Sequence, residues 1–236
     1  MNQVLASSLL YPAAAIIGYL LGSIPFGLVI TKLAGLGDIR TIGSGNIGAT
    51  NVLRTGRKDL ALLTLILDIG KAGIAFLICW QVALAILVPI STEDVYAAVA
   101  RSDAYSIGLC GGAFAFVGHC FPVWLGFKGG KGVATFVGLL AAADWRVGLG
   151  FGVIWLVMAG IARMSSFAGL TATLGAPIMA HFLNPNGDLQ YVTAALAILI
   201  FWRHRANIKR IVDGTEPKIG AKKKDAPAEA PPGSPG

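Results

Sequence analysis

The sequence predicts an all-α, polytopic membrane protein with about seven transmembrane or partial helices, its N-terminus outside and its C-terminus cytoplasmic. Three observations carry that expectation. The 236 residues are 55% hydrophobic and only 13% charged, with a mean hydropathy of +0.70. A soluble domain carries about 25% charged residues, so this chain lacks the polar cover that a water-facing surface needs. The apolar residues also come in long runs, several of which approach the ~20 residues needed to cross hydrocarbon. Finally, the basic residues fall almost entirely in alternate connecting loops. A soluble enzyme, a disulfide-rich secreted domain and a disordered chain are excluded.

Taken in order, the apolar segments run approximately over 9–33, 60–90, 106–125, 132–143, 147–162, 167–183 and 189–202. The second is longer than one crossing requires, so part of it is expected to tilt or to lie at the interface. The fourth is too short for a full crossing and is expected to be a partial helix. With the N-terminus outside, sixteen Lys and Arg residues fall on the inner side, against Arg101 and Arg146 outside and Lys71 within the second segment. Basic residues favour the cytoplasmic side, and an odd number of crossings satisfies the asymmetry. The net charge of +7 is therefore read first as topology, not as a nucleic-acid footprint. No Lys or Arg precedes the first apolar run, so no cleavable signal peptide is expected. Cys79, Cys110 and Cys120 are odd in number and sit in apolar stretches, which predicts free thiols. Gly18/Gly22, Gly108/Gly112 and Gly148/Gly152 have the small-xxx-small spacing of tight helix packing. Residues 1–216 read as one membrane domain. Residues 217–236, rich in Pro and Ala with Lys222–Lys224, read as a disordered cytoplasmic tail near anionic headgroups.

The chemistry concentrates in three inner-face motifs. The first runs from Thr41 to Arg54 and contains Gly43-x-Gly45-x-x-Gly48, a literal dinucleotide fingerprint. No strand precedes it, so that match is discounted. Its glycines still permit backbone conformations that present N–H groups to an anion. Ser44, Asn46, Thr50 and Asn51 add side-chain donors, and Arg54 adds a bidentate cation. The second motif runs from Gly118 to Gly132, with Lys128 and Lys131 flanking Gly129-Gly130. It fails as a nucleotide-binding P-loop, because only three residues separate Gly126 from Gly130 and Gly132 stands where Ser or Thr belongs. As a compact cationic turn entering a helix it remains a favourable phosphate site. The third runs from Arg203 to Arg210, followed by Gly214-Thr-Glu216. His204 and Asn207 share a helix face, while Arg203, Arg205 and Lys209 read as a snorkelling basic cluster that ends the last span.

Asp68 and Lys71, three apart on the second segment, are read equally as functional intramembrane charges or as a structural ion pair. His119 and His181 are read as structural histidines, and Phe114, Phe116, Phe121 and Trp124 as packing or interface residues. No metal-ligand spacing is present, and no cofactor is implied. Three phosphate-compatible motifs on one face imply a site for one or two phosphorylated molecules, at least one of which reaches lipid. No GxSxG elbow and no His-x4-Asp arrangement occur, so catalysis would rest on positioning and electrostatics. The alternatives are a transporter or exchanger of organic phosphates, and a scaffold bound through the basic tail. One-sided clustering without internal repeats disfavours the transporter, whose site would lie near the midplane.

The runs Ser44–Arg54 (SGNIGATNVLR), Gly118–Gly132 (GHCFPVWLGFKGGKG) and HRANIKR…GTE resemble the three signatures of the bacterial acyl-phosphate:glycerol-3-phosphate acyltransferase (PlsY) family. The resemblance covers roughly residues 10–216. It implies transfer of an acyl group from acyl phosphate to the 1-hydroxyl of sn-glycerol 3-phosphate, giving lysophosphatidic acid and inorganic phosphate. Ser44 and Arg54 would then bind phosphate. Lys131, with Lys128 as a second candidate, would hold the glycerol phosphate. His204 and Asn207 would position the acceptor or the reacting carbonyl. Gly45, Gly129 and Gly130 would allow close backbone approach, Gly43 would border the bound substrate, and Glu216 would support the site. It also implies a cytoplasmic active site in the inner membrane, membrane lipid as the product's environment, and no nucleic-acid partner.

Overall fold

The computed structural model describes residues 3–43, 45–89, 94–184 and 187–220. All regular structure among them is helical: α1 (Gln3–Gly22), α2 (Phe26–Leu33), α3 (Ala49–Val52), α4 (Lys58–Leu87), α5 (Asp94–Cys120), α6 (Val133–Ala143), α7 (Trp145–Ala162), α8 (Ser165–Leu183), α9 (Asp188–Arg203) and α10 (Arg205–Val212), with short 3-10 turns between some of them. Among the described residues, five stretches are long and apolar enough to cross a membrane: Gln3–Leu33, Lys58–Leu87, Asp94–Leu125, Trp145–Ala162 and Ser165–Leu183. α6, at 11 residues, reaches only about 16 Å. The 30 residues of α4 form one continuous helix of about 45 Å, longer than the ~30 Å hydrocarbon core.

Three boundaries depart from the apolar runs, the first being the start of α1 at Gln3 instead of 9. The first run breaks into α1 and α2 at Ser23–Pro25, since Pro25 has no N–H to continue the helix and stands as the N-cap of α2. α5 begins at Asp94, well before the apolar run at 106, although Asp94, Arg101 and Asp103 interrupt that stretch with charge. Ala100, Ala104 and Ile107 recur there at helical spacing and are buried, so one face packs, while Asp103 accepts a hydrogen bond from Ser7 of α1 (3.1 Å) and Arg101 is exposed.

Small residues let the backbones meet. A Cβ on Gly18 or Gly22 would collide with the carbonyls of Gly111 and Ala115, which seats α1 directly on α5. Gly138 lies on the Ile69 carbonyl, joining α6 to α4, and Gly148 lies on Ala141. Gly152 has open space around it, so that half of its pair does not serve packing. Phe116, Phe136 and Phe151 run edge-to-face through the centre, with centroids 6.3 and 5.9 Å apart. Cys79, Cys110 and Cys120 are free, with Cys110 only half-buried. His181 is exposed and pairs with Gln190 at 2.6 Å.

The connections sort to two ends. At one, Arg146 bonds the Leu183 carbonyl, Asn184 donates to Tyr105 (2.9 Å), and Ser106 bonds Asp188. At the other, Tyr19 donates to the Phe121 carbonyl (2.8 Å) and the Ile219 amide donates to the Arg163 carbonyl (2.6 Å). The three sequence motifs belong to this second, basic end.

Candidate active site

The second and third motifs interlock. α9 ends at Arg203, and α10 restarts one residue later with His204 between them. Arg203 donates through Nε to the Gly130 carbonyl (3.0 Å) and through a terminal nitrogen to the Gly129 carbonyl (2.6 Å). Its guanidinium also lies over the Phe121 ring, 5.3 Å from the centroid. Arg203 thus clamps the glycine turn, and is not the free snorkelling cation that its position at a span end implies. Arg205 and Lys209 fit the simpler reading: Arg205 stacks on Trp202, and Lys209 pairs with Asp213 on the surface.

Lys131, the residue after the turn, donates to Asn207 Oδ1. Asn207 Nδ2 in turn donates to Glu216 Oε1 (2.7 Å), and the same carboxylate takes bonds from Ser166 (2.6 Å) and Arg210 (2.7 Å). A polar chain therefore runs Lys131–Asn207–Glu216, anchored on α8 and α10. Both ends of the Asn207 amide are occupied, so Asn207 orients Lys131 and does not itself present a free amide. Burial pushes Glu216 up, but its three donors outweigh that and hold it below the usual carboxylate range. Burial pulls Lys131 down to about 8, aided by the charges of Arg210, Arg203 and Arg54 against the opposing pull of Glu216. His204 is buried at 3% exposure, and that burial pulls it down to about 4. Its Nδ1 faces the Ile200 carbonyl at 2.8 Å, so the neutral ring carries its proton on Nδ1 and leaves Nε2 a bare acceptor.

The first motif folds over a small core of Ile39, Val52 and Ala61. Gly43 and Gly45 adopt positive φ of 60° and 67°, which a side chain would strain. Gly48 instead is extended and caps α3. Arg54 and Asn51 lie against Gly43, where a Cβ would strike both. Asn51 is buried and spends its amide on the Ile39 carbonyl (2.7 Å) and the Ile42 carbonyl (3.3 Å); it tethers the loop and is not an open donor. Asn46 accepts from the Ile47 amide (2.9 Å). Arg54, Thr50 and Lys128 are exposed, and Ser44 lies outside the described residues. In the second motif the Gly129 and Gly130 amides are consumed by the Cys120 and His119 carbonyls (3.1 and 3.0 Å), so this turn offers no amide nest.

Sequence reasoning missed three members of this cluster. Arg203 and Arg210 were visible only as basic charge. Ser166 lies in the first turn of α8 with nothing to mark it. In general, a polar partner supplied by another helix leaves no local pattern.

Together these features define an all-helical, multi-pass membrane protein with a cationic, hydrogen-bonded cluster at one end of its bundle. The glycerol-3-phosphate acyltransferase family matches residues 12–214, and the chain belongs to that family. It is 55% identical over 225 residues to the glycerol-3-phosphate acyltransferase of Maricaulis maris, covering 95% of this chain and 94% of that protein. The enzyme of the same description from Rhodospirillum rubrum is 53% identical over 225 residues, covering 95% and 98%. Among solved structures, the fold is similar to the crystal structure of PlsY, an integral membrane glycerol 3-phosphate acyltransferase, in its glycerol 3-phosphate form. That likeness has a TM-score of 0.76 and 35% identity over 89% of this chain and 96% of that one. The lysophosphatidic acid form of the same enzyme gives 0.74 at 35% identity. The activity of the chain is glycerol-3-phosphate acyltransfer within phospholipid synthesis.

Proposed function

We propose that the acyl donor is acyl phosphate and the acceptor the 1-hydroxyl of sn-glycerol 3-phosphate, with lysophosphatidic acid and inorganic phosphate as products. The observation that carries this reading is the Lys131–Asn207–Glu216 chain beside Arg203, Arg210 and Arg54. It supplies positive charge for two phosphates, and among the described residues no serine or cysteine is hydrogen-bonded to a histidine base.

In this scheme Lys131 spends one N–H on Asn207 and turns the other two to the glycerol phosphate. Arg54 and Ser44 hold the phosphate of the donor, with Gly43 and Gly45 giving the backbone room to approach it. Lys128, exposed at the rim, steers anions inward. Asn46 and Thr50 border the donor pocket, and Asn51 keeps its loop in shape. His204 Nε2 accepts the hydrogen bond of the attacking hydroxyl and so aims its oxygen at the acyl carbon.

The hydroxyl oxygen forms a bond to the acyl carbon, and the C–O bond to phosphate breaks, with its electron pair leaving on phosphate. The hydroxyl proton ends on that phosphate. His204 is too weak a base, at about 4, to hold it. An acyl phosphate is already activated, so no covalent enzyme intermediate is needed. Aligning the two substrates contributes up to ~7–11 kcal/mol, and cations facing the developing oxyanion add to it.

The basic end would face the cytoplasm of a bacterial inner membrane, with the N-terminus outside, since the basic residues crowd there. Residues 1–216 would form one catalytic domain; the tail expected over 217–236 lies, from residue 221 on, outside the described residues. The donor is tested by offering purified protein acyl phosphate, an acyl thioester of coenzyme A and an acylated carrier protein in turn. Product from acyl phosphate alone is expected; product from a thioester alone would overturn the assignment.

A further inference from the structure

Beneath the glycine turn lies a second group of charges that the scheme above does not use. Asp68, Lys71 and His119 are 3%, 5% and 4% exposed, on α4 and α5. The Lys71 ammonium is 3.0 Å from Asp68 Oδ1, 2.7 Å from His119 Nδ1 and 3.3 Å from the Ile24 carbonyl. Lys71 has only donors, so His119 Nδ1 accepts, and the neutral ring carries its proton on Nε2. That Nε2 edge presses on Gly130, where even a methyl group would overlap it.

The turn is therefore held from both sides. Arg203 takes its two carbonyls, the His119 and Cys120 carbonyls take its two amides, and the His119 ring fills the space under Gly130. Lys131 follows directly in the chain. A buried ion pair is a poor way to gain stability, because well-packed apolar residues of similar volume are often as good or better. What the pair does supply is a single orientation for an imidazole that could otherwise rotate.

We propose that Asp68, Lys71 and His119 are positioning residues of the acyl transfer, fixing the ring under Gly130 and so the height at which Lys131 meets the glycerol phosphate. This rests on the reading that Lys131 binds glycerol 3-phosphate. Asp68 orders Lys71, Lys71 orients His119, and His119 limits how far Gly130 can sink. None of the three touches substrate.

The test is the neutral double variant Asp68→Asn/Lys71→Met, purified in detergent and assayed with acyl phosphate and glycerol 3-phosphate. KM for glycerol 3-phosphate is expected to rise at least about fivefold, with KM for acyl phosphate changed by less than about twofold. A merely structural pair would lower the folded fraction, and hence the apparent kcat, with both KM values unchanged. A smaller rise in KM for glycerol 3-phosphate, in protein that elutes as a single species, would overturn the proposal. His119→Gln, which keeps a polar side chain but loses the ring, is read by the same criterion if the double variant does not fold. Failure of both to fold would also count against the proposal, since the group would then hold the fold and not the turn. Absence of glycerol-3-phosphate-dependent turnover in the unaltered protein would instead strike at the proposed function itself.

Discussion

Replacing Arg203 with lysine probes the clamp without removing its charge. The guanidinium makes two bonds, to the Gly130 carbonyl at 3.0 Å and the Gly129 carbonyl at 2.6 Å. A lysine ammonium is a single point donor and cannot span two adjacent carbonyls in the fork geometry of arginine. One bond is therefore lost. A hydrogen bond involving a charged group contributes about 1.5–3 kcal/mol, and about 1.4 kcal/mol is tenfold. Both bonds are only part-buried, which favours the lower end of that range. Arg203→Lys is thus expected to reduce kcat/KM for glycerol 3-phosphate by about tenfold. The global fold should be untouched, because α9 and its packing on α8 do not depend on the clamp. The assay is steady-state kinetics in detergent alongside thermal unfolding of the same preparation. A kcat/KM within about twofold of the parent would refute the reasoning, as would a loss accounted for wholly by unfolding.

Further predictions concern the cations. Lys131, at about 8, is charged below that pH and neutral above it, so kcat/KM for glycerol 3-phosphate should fall as pH rises through about 8. Lys131→Arg should carry that limb out of the range; a limb in the unaltered protein only near the ordinary lysine value of about 10.4 would contradict the burial argument. Arg54→Lys keeps a charge but loses bidentate geometry and should lower turnover by at least about tenfold, measured as phosphate release. Lys131→Ala should cost about a hundredfold or more, whereas Lys128→Ala, at an exposed position, should cost under about fivefold and show mainly at low salt. Equal losses in the two variants would remove the distinction between a binding lysine and a rim lysine.

Much of the architecture was legible because hydrocarbon imposes length and polarity on every spanning element. Each apolar run lies on helical residues, with a break at Pro25 and an early start to α5 among the departures. The break is local chemistry. The early start is set by Ala100 and Ala104, whose burial against other helices no single segment reveals. The site was legible as three clusters of glycine, amide and cation, but not the assignment of partners within them. Asn51 and Asn207 have the same donors and acceptors whether they bind a ligand or a backbone. Only the fold shows that Asn51 is spent on Ile39 and Ile42, and Asn207 on Lys131 and Glu216. Asp68 and Lys71 were visible as an i, i+3 pair. Their third member, His119, lies 48 residues further along than Lys71 and joins them only across the α4–α5 contact.

The central claim is that this end of the bundle joins an acyl phosphate to glycerol 3-phosphate by alignment of two phosphates. Its most direct test is phosphate release by the purified protein given acyl phosphate, with and without glycerol 3-phosphate. The account predicts release that depends on glycerol 3-phosphate and matches the lysophosphatidic acid formed, one for one. Release at the same rate without the acceptor, or lysophosphatidic acid formed without phosphate release, would contradict it.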